Sequence, residues 1–196
     1  MIYDLPTSLL VCGVEYEIRS DFRAILDIII ALNDEELEDN EKMFVALSIL
    51  YPQFEEMPNE HCREALRQCF WFINGGTEEP QEQKQSIKLM DWEQDFNLIV
   101  GPVNRVLGAD VRGMEQLHWW TFLAAYMEIG DCMFAQVVAI RRKRAEGRKL
   151  SREDRAFLRE NRDLVELRTQ YTDEEEAVFA MMAGAAAKEV KPDAEI

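Results

Sequence analysis

The residues best suited to chemistry in this 196-residue sequence are two histidines, His61 and His118, and four cysteines. A nucleophilic site needs a base such as histidine beside a serine or cysteine. However, no GxSxG, Walker, HExxH or GxGxxG motif occurs in the sequence. Pairs of carboxylates carry little information in a chain with 38 Asp and Glu residues. We therefore predict that the protein is not an enzyme and that it has no cofactor.

One short pattern, EQLH from Glu115 to His118, has the Glu-x-x-His spacing found in metal-binding helical bundles. Such sites use two copies of the pattern, and the sequence has no second copy. A zinc site built from His61, Cys62 and Cys69 would lack a fourth ligand and fits no common zinc spacing. We predict no metal site. The cysteines form no CxxC pair, and we expect them to be free, buried thiols.

The segment LHWWTF, residues 117–122, places a histidine against two tryptophans. Tryptophans near a basic run could stack on the bases of a nucleic acid. Apolar residues at helical spacing surround this pair, however, and large rings are typical of a core. We predict a largely buried helix over residues 117–129, with His118 hydrogen-bonded on its narrow polar stripe. Its predicted core residues are Trp119, Trp120, Phe122 and Leu123.

Charge is distributed unevenly along the chain, whose formal net charge is −16. Residues 141–168 hold eleven Lys or Arg and six Asp or Glu, a net charge of +5 on an acidic body. The total disfavours a general nucleic-acid binder, because a phosphate backbone attracts cations. The basic region is either paired with the acidic body or a docking surface for an acidic partner. The candidate partner-binding residues are Arg141, Arg142, Lys143 and Arg144, with Met181 and Met182 as adaptable apolar contacts.

The elements that must position these residues follow from periodicity and from the residues that start and end helices. SLLVC, then Gly13, then the alternating VEYEIR predict an N-terminal β-hairpin. Ser20 and Asp21 can cap the helix after it, and apolar residues three or four positions apart predict several more helices. Pro102 is predicted to bend or interrupt one helix, and Gly108 to end it.

The predicted fold is mainly α, with an N-terminal β-hairpin packed on a helical bundle, an α+β fold with little β. Residues 1–76 hold the hairpin and its helices, 77–85 a polar linker, 86–170 a helical subdomain, and 171–196 an acidic, alanine-rich, partly disordered tail. We expect the two subdomains to pack together, because the first alone would have a thin core.

Two features of the sequence bear on its location. No apolar run approaches the ~20 residues of a membrane span. The start, MIYDLPTSLLVCGVEYE, lacks the basic region of a signal peptide and soon becomes acidic. We therefore expect a cytosolic protein that does not contact a membrane.

Several segments together resemble the gene-product fifteen family of tail-region proteins from tailed phages of Gram-positive hosts. They are LPTSLLVCGVEYEIRSDFRAILDI, WFINGG, DWEQDFNLIVGPVNRVLGADV and LHWWTFLAAY followed by IRRKR. In this order they span residues 5–145, roughly, and LHWW is the most distinctive of them. None of these segments is a catalytic signature.

The resemblance implies a role in phage tail morphogenesis. Members of this family are similar to tail assembly chaperones, which coat the long, apolar tape-measure protein until tail-tube subunits polymerise around it. The expected partners are the tape-measure protein or other tail proteins, in the bacterial host cytoplasm during phage assembly, with a homo-oligomer left open. The alternative is a structural tail or connector component retained in the virion. The third hypothesis, which is less favoured, is a nucleic-acid-binding module.

Overall fold

The computed structural model describes residues 4–77 and 87–168. Two antiparallel strands, β1 (Ser8–Val11) and β2 (Val14–Glu17), form a hairpin. The α-helices in the described residues are α1 (Phe22–Asn33), α2 (Asp39–Leu50), α3 (Cys62–Ile73), α4 (Trp92–Leu107), α5 (Trp119–Met127), α6 (Met133–Ala145), α7 (Arg152–Glu160) and α8 (Arg162–Val165). Three short 3-10 turns join some of them, at Phe54–Glu56, Asn59–His61 and Val111–Gly113. The predicted fold class, mainly α with a small hairpin, is confirmed.

The hairpin is closed by a two-residue turn at Cys12 and Gly13. Both residues have positive φ, 49° and 82°, which is the combination that a type I′ turn requires. Val11 pairs with Val14 across the turn, so side chains alternate between the two faces. Leu9 and Val11 are buried, and Leu10 between them is 63% exposed. The inner face packs against α3.

Helix α1 begins as the sequence predicts. The side chain of Asp21 accepts a hydrogen bond from the backbone N–H of Arg23 and so caps the helix. Phe22, Ile25 and Leu26 are buried, as is Ile28, whereas Ile29 is only half-buried. The buried face of α1 contacts α2, α4 and α5.

Helix α4 runs through Pro102 without interruption. The predicted interruption was therefore wrong, while a bend at Pro102 stays a prediction. Burial of Ile99 and Val103 on either side of the proline keeps the helix in place. Gly108 ends the helix as predicted: it adopts φ 71°, and its N–H donates to the carbonyl of Asn104.

One hydrophobic core joins the two described ranges of the chain. Phe22 of α1 stacks on Phe122 of α5, with ring centroids 4.6 Å apart. The same cluster includes buried residues of the hairpin and of all helices from α1 to α6. The predicted subdomains 1–76 and 86–170 thus share a core, and their boundaries stay a prediction. Except for Thr77, the predicted linker and the predicted tail lie outside the described residues.

A second, smaller hydrophobic cluster lies between α6, α7 and α8, around Val137, Ile140 and Val165. Helix α7 begins with a capping box: the Ser151 hydroxyl accepts from the N–H of Asp154, and the Asp154 carboxylate accepts from the N–H of Ser151. At the other end of α7, the amide of Asn161 donates to the carbonyl of Phe157, and the chain starts a separate short helix. Every helix in the described ranges is too short or too polar to cross a bilayer.

Candidate partner-binding surfaces

The LHWWTF segment is joined by main-chain hydrogen bonds to the residues that start α1. Asp21 and His118 form an isolated antiparallel bridge. The N–H of Trp119 donates to the carbonyl of Ser20 at 2.7 Å. The Asp21 carboxylate, besides capping α1, accepts from the N–H of Leu117 at 2.9 Å. The first turns of α1 and α5 are therefore held side by side across 96 residues of sequence.

His118 is the N-cap of α5 rather than a residue on the face of a helix. Its Nδ1 accepts a hydrogen bond from the N–H of Trp120 at 3.1 Å. Its Nε2 lies 2.9 Å from the carbonyl oxygen of Pro6 and donates to it, since a carbonyl can only accept. The predicted helix thus begins at Trp119, two residues later than expected. Both ring nitrogens are used within the protein, which leaves neither for a substrate.

The two indoles of the LHWWTF segment bind the C-terminal end of α3. Trp119 Nε1 donates to the carbonyl of Ile73 at 2.8 Å, and Trp120 Nε1 donates to that of Phe72 at 2.9 Å. The last carbonyls of a helix have no partner within it. Trp119 satisfies that of Ile73, and Trp120 shares that of Phe72 with the N–H of Gly75. Trp119 is 1% exposed and stacks on Phe122, and Trp120 is half-buried against Phe72.

The predicted core residues therefore occupy an intramolecular junction. Trp119 and Phe122 are buried, and Trp120 and Leu123 are half-buried against the same core. Because protein rings already lie against the two indoles, this arrangement offers no open stacking platform for a base.

Arg141 is set apart from the rest of its basic run because it is buried, at 6% exposure. Its guanidinium forms a bidentate ion pair with Asp95, at 2.6 and 2.9 Å. It also donates to the carbonyls of Leu89, Leu164 and Val165 at 2.7–3.1 Å. Arg141 thus connects α4, α6 and α8, and its donors are not accessible to a partner.

Asp95 is the residue at this pair that sequence reasoning missed. It lies four residues before Ile99 and eight before Val103, so it belongs to the buried face of α4. Arg141 similarly follows Val137 by four residues on the buried face of α6. A charged residue within an apolar stripe was the available signal, and two such residues of opposite charge could have been paired.

The other residues of the basic run face outward. Arg142 and Arg144 are exposed, and Lys143 is half-buried with its Nζ 2.7 Å from Asp154 Oδ2. The hydrogen bond from Lys143, aided by the Ser151 N–H, lowers the pKa of Asp154. This contact fastens the end of α6 to the beginning of α7. Met181 and Met182, the apolar candidates for partner binding, lie outside the described residues.

An exposed apolar surface lies at the first half of α2, and it was not among the predicted sites. Phe44 is 60% exposed and Met43 beside it is also exposed. The Phe44 ring meets Phe54 edge to face, with centroids 5.3 Å apart. These three residues are called the α2 surface below. Asp39 lies four residues before Met43, and Glu55 directly follows Phe54. Both carboxylates are exposed, so the α2 surface has an acidic rim.

The four cysteines are free, as expected, but they are not all buried. Cys69 is buried, and burial raises the pKa of its thiol to about 12. Cys12 lies exposed in the hairpin turn. Cys62 and Cys132 are half-buried. Within residues 4–77 and 87–168, no three His, Cys, Asp or Glu side chains converge in a way that could hold a metal ion.

Comparison with known proteins gives one match. A family model described as "Bacteriophage Gp15 protein" matches residues 1–167. No curated protein and no solved structure matches the chain. The matched range contains the LHWWTF junction, the buried Arg141–Asp95 pair and the α2 surface.

Proposed function

The chain belongs to the bacteriophage Gp15 protein family, and from this premise we propose that it is a tail assembly chaperone that binds the tape-measure protein. The family is one of phage structural or morphogenesis proteins. The narrower role, like a Gram-positive host and the host cytoplasm as its location, rests on the resemblance of the segments around LHWW to tail-region proteins.

The observation that carries the proposal is the α2 surface. In helix α2, Ala46, Leu47 and Leu50 are buried, while Met43 and Phe44, in the first half of the helix, stay exposed. Met43 lies four residues before Leu47 on the same helical face, so the apolar stripe of α2 extends beyond the part that the core covers. An exposed aromatic with a flexible methionine beside it is well suited to receive the apolar face of a partner helix.

The charge around the α2 surface fits a partner that is apolar and basic. Residues 34–60 hold nine Asp or Glu and one Lys, a net charge of −8. Acidic residues around an apolar contact select basic flanking residues on the partner. They also keep a complex with an apolar polypeptide in solution. None of this requires a catalytic group, in agreement with the proposal that the protein is not an enzyme.

Co-expression with fragments of the tape-measure protein tests the proposal. We expect the wild-type chain to raise the soluble yield of at least one apolar fragment and to co-purify with it. Met43→Ser/Phe44→Ser should abolish co-purification while its thermal unfolding stays close to that of the wild type, because both side chains are exposed. Leu10→Ser is the control, since Leu10 is about as exposed as Phe44 but lies on the hairpin.

Two outcomes would contradict the proposal. If no tape-measure fragment co-purifies with the wild-type chain, the chaperone role fails. If mass spectrometry of purified particles finds the protein in stoichiometric amount, it is a structural tail or connector component instead.

A further inference from the structure

Helix α7 carries a row of arginines on its outer side. Arg152, Arg155 and Arg159 are spaced by three and four residues, which places them on one face of the helix. All three are exposed, and none forms an ion pair within the described part of the chain. Arg155 Nε donates to the carbonyl of Ser151 at 3.2 Å, so it is partly held by its own helix. These three residues are called the arginine stripe below.

The arginine stripe is presented on a fixed support. The opposite side of α7 contributes Phe157 and Leu158 to the smaller hydrophobic cluster. The Lys143–Asp154 ion pair fastens the first turn of α7 to α6. A charged face held in this way loses less conformational freedom on binding than the same residues on a loose loop would.

A surface of opposite charge lies on the connection between α1 and α2. Residues 34–41, DEELEDNE, include six Asp or Glu and no Lys or Arg. Glu35, Glu36 and Asp39 are exposed, and they form no ion pair with described residues. This stretch is called the acidic connection below.

The stripe and the connection do not neutralise each other within one molecule. The principal packing contacts run from α2 to α1, then to α4, to α6, to α8 and finally to α7. The acidic connection adjoins the first helix of this series, and the stripe belongs to the last. No ion pair in the described ranges joins the two. Within residues 4–77 and 87–168, one molecule therefore presents two complementary charged surfaces that form no ion pair with each other.

We propose that the arginine stripe of one molecule docks on the acidic connection of a second copy, so that copies associate head to tail. Opposite charges at a contact favour association, and arginine suits carboxylates because it can bind them in a bidentate manner. A contact between two different surfaces of identical chains closes into a ring or continues as a filament. The arginine stripe lies on α7, away from the α2 surface, whereas the acidic connection shares Asp39 with the acidic rim of that surface. The docking is therefore tested on the chain alone, without the tape-measure protein.

Sedimentation velocity of the full chain over a concentration series, at about 0.1 M salt, where the Debye length is about 10 Å, tests the proposal. The wild type should sediment faster as its concentration rises. Arg152→Glu/Arg159→Glu should weaken association at least about tenfold. Arg63→Glu/Arg112→Glu is the matched control, because it changes the net charge equally at exposed positions elsewhere, and it should associate like the wild type.

Reversing the charges of both surfaces distinguishes direct docking from a general effect of net charge. Glu35→Arg/Glu36→Arg should also fail to associate by itself. An equimolar mixture with Arg152→Glu/Arg159→Glu should associate again, because each reversed surface then meets a complementary one.

Three outcomes would overturn the proposal. The wild type could remain a monomer at every concentration, or the α7 variant could associate as the wild type does. The third outcome is duplex DNA binding that the α7 variant loses while the wild type shows no self-association. That result would reassign the stripe to a polyanion.

Discussion

Trp119 and Trp120 are neighbours in sequence but occupy different environments. Trp119 is enclosed by Trp92 and Phe122, whereas Trp120 lies half-buried at the edge of the core. Each donates its indole N–H to a carbonyl at the end of α3. The hydrogen bonds are equivalent, so the difference between the two residues is one of buried apolar area.

At this scale we predict unequal costs for truncating the two tryptophans. Trp119→Ala should lower the free energy of unfolding by about 3–5 kcal/mol, because it leaves a cavity in a closed core. Trp120→Ala should cost about half as much, since part of its ring already contacts water. Urea unfolding followed by circular dichroism measures both, and Trp119→Phe provides a folded variant if the alanine variant does not fold. Equal losses at the two positions would contradict this assignment.

At the scale of elements, the end of α3 explains why WFINGG and LHWW occur in one sequence. Gly75 and Gly76 follow α3 with positive φ, 66° and 84°. A Cβ on Gly76 would lie 2.8 Å from Cη2 of Trp120, so the glycine is needed for space as well as for its backbone conformation. In the folded protein, WFINGG at the end of α3 and LHWW at the start of α5 pack against each other.

Gly76→Ala and Gly13→Ala form a matched pair that tests this contact. Their φ angles are 84° and 82°, so the backbone strain of an alanine, about 1–2 kcal/mol, should be similar at both. No atom lies within 4 Å of the Cβ position at Gly13, whereas Trp120 obstructs that at Gly76. The loss in free energy of unfolding should therefore be larger for Gly76→Ala by about 1–3 kcal/mol. Thermal or urea unfolding of both variants provides the measurement, and an equal loss would show that Trp120 moves aside freely.

At the scale of the whole molecule, the Asp95–Arg141 pair holds α8 and the segment before α4 against α6. It lies where the smaller hydrophobic cluster meets the rest of the molecule, because α4 and α6 contribute to both clusters. The pair therefore fixes α8, and through it α7 with the arginine stripe, to the rest of the molecule.

A double-mutant cycle tests this role. Asp95→Leu alone should lower the free energy of unfolding by about 3–5 kcal/mol, because Arg141 keeps a buried charge without its counterion. Asp95→Leu/Arg141→Met should recover part of that loss, since no buried charge remains. Denaturant unfolding of the two single variants and the double variant gives the coupling energy. Additive losses would indicate that the two side chains do not interact in solution.

Much of the local structure was predictable from the sequence because it depends on residues close together in the chain. The hairpin turn, the Asp21 cap, the Gly108 helix end and the Ser151 capping box each involve residues at most four positions apart. Periodicity also identified the core around Trp119. It failed at the start of α5, where His118 caps the helix and bonds to the carbonyl of Pro6 instead of joining the helix. Of the two effects predicted for Pro102, the interruption is absent.

By itself, the sequence determined the fold class, the residues that begin and end several helices, and the segments that mark the family. Only the tertiary structure decided that Arg141 is internal while Arg142 and Arg144 remain outside, and that the apolar residues in the first half of α2 stay uncovered. The physical reason is that a side chain on an amphipathic helix is buried or exposed according to which face of the helix another helix covers. That choice is made by contacts between residues tens of positions apart, such as Asp95 with Arg141 and Phe72 with Trp120.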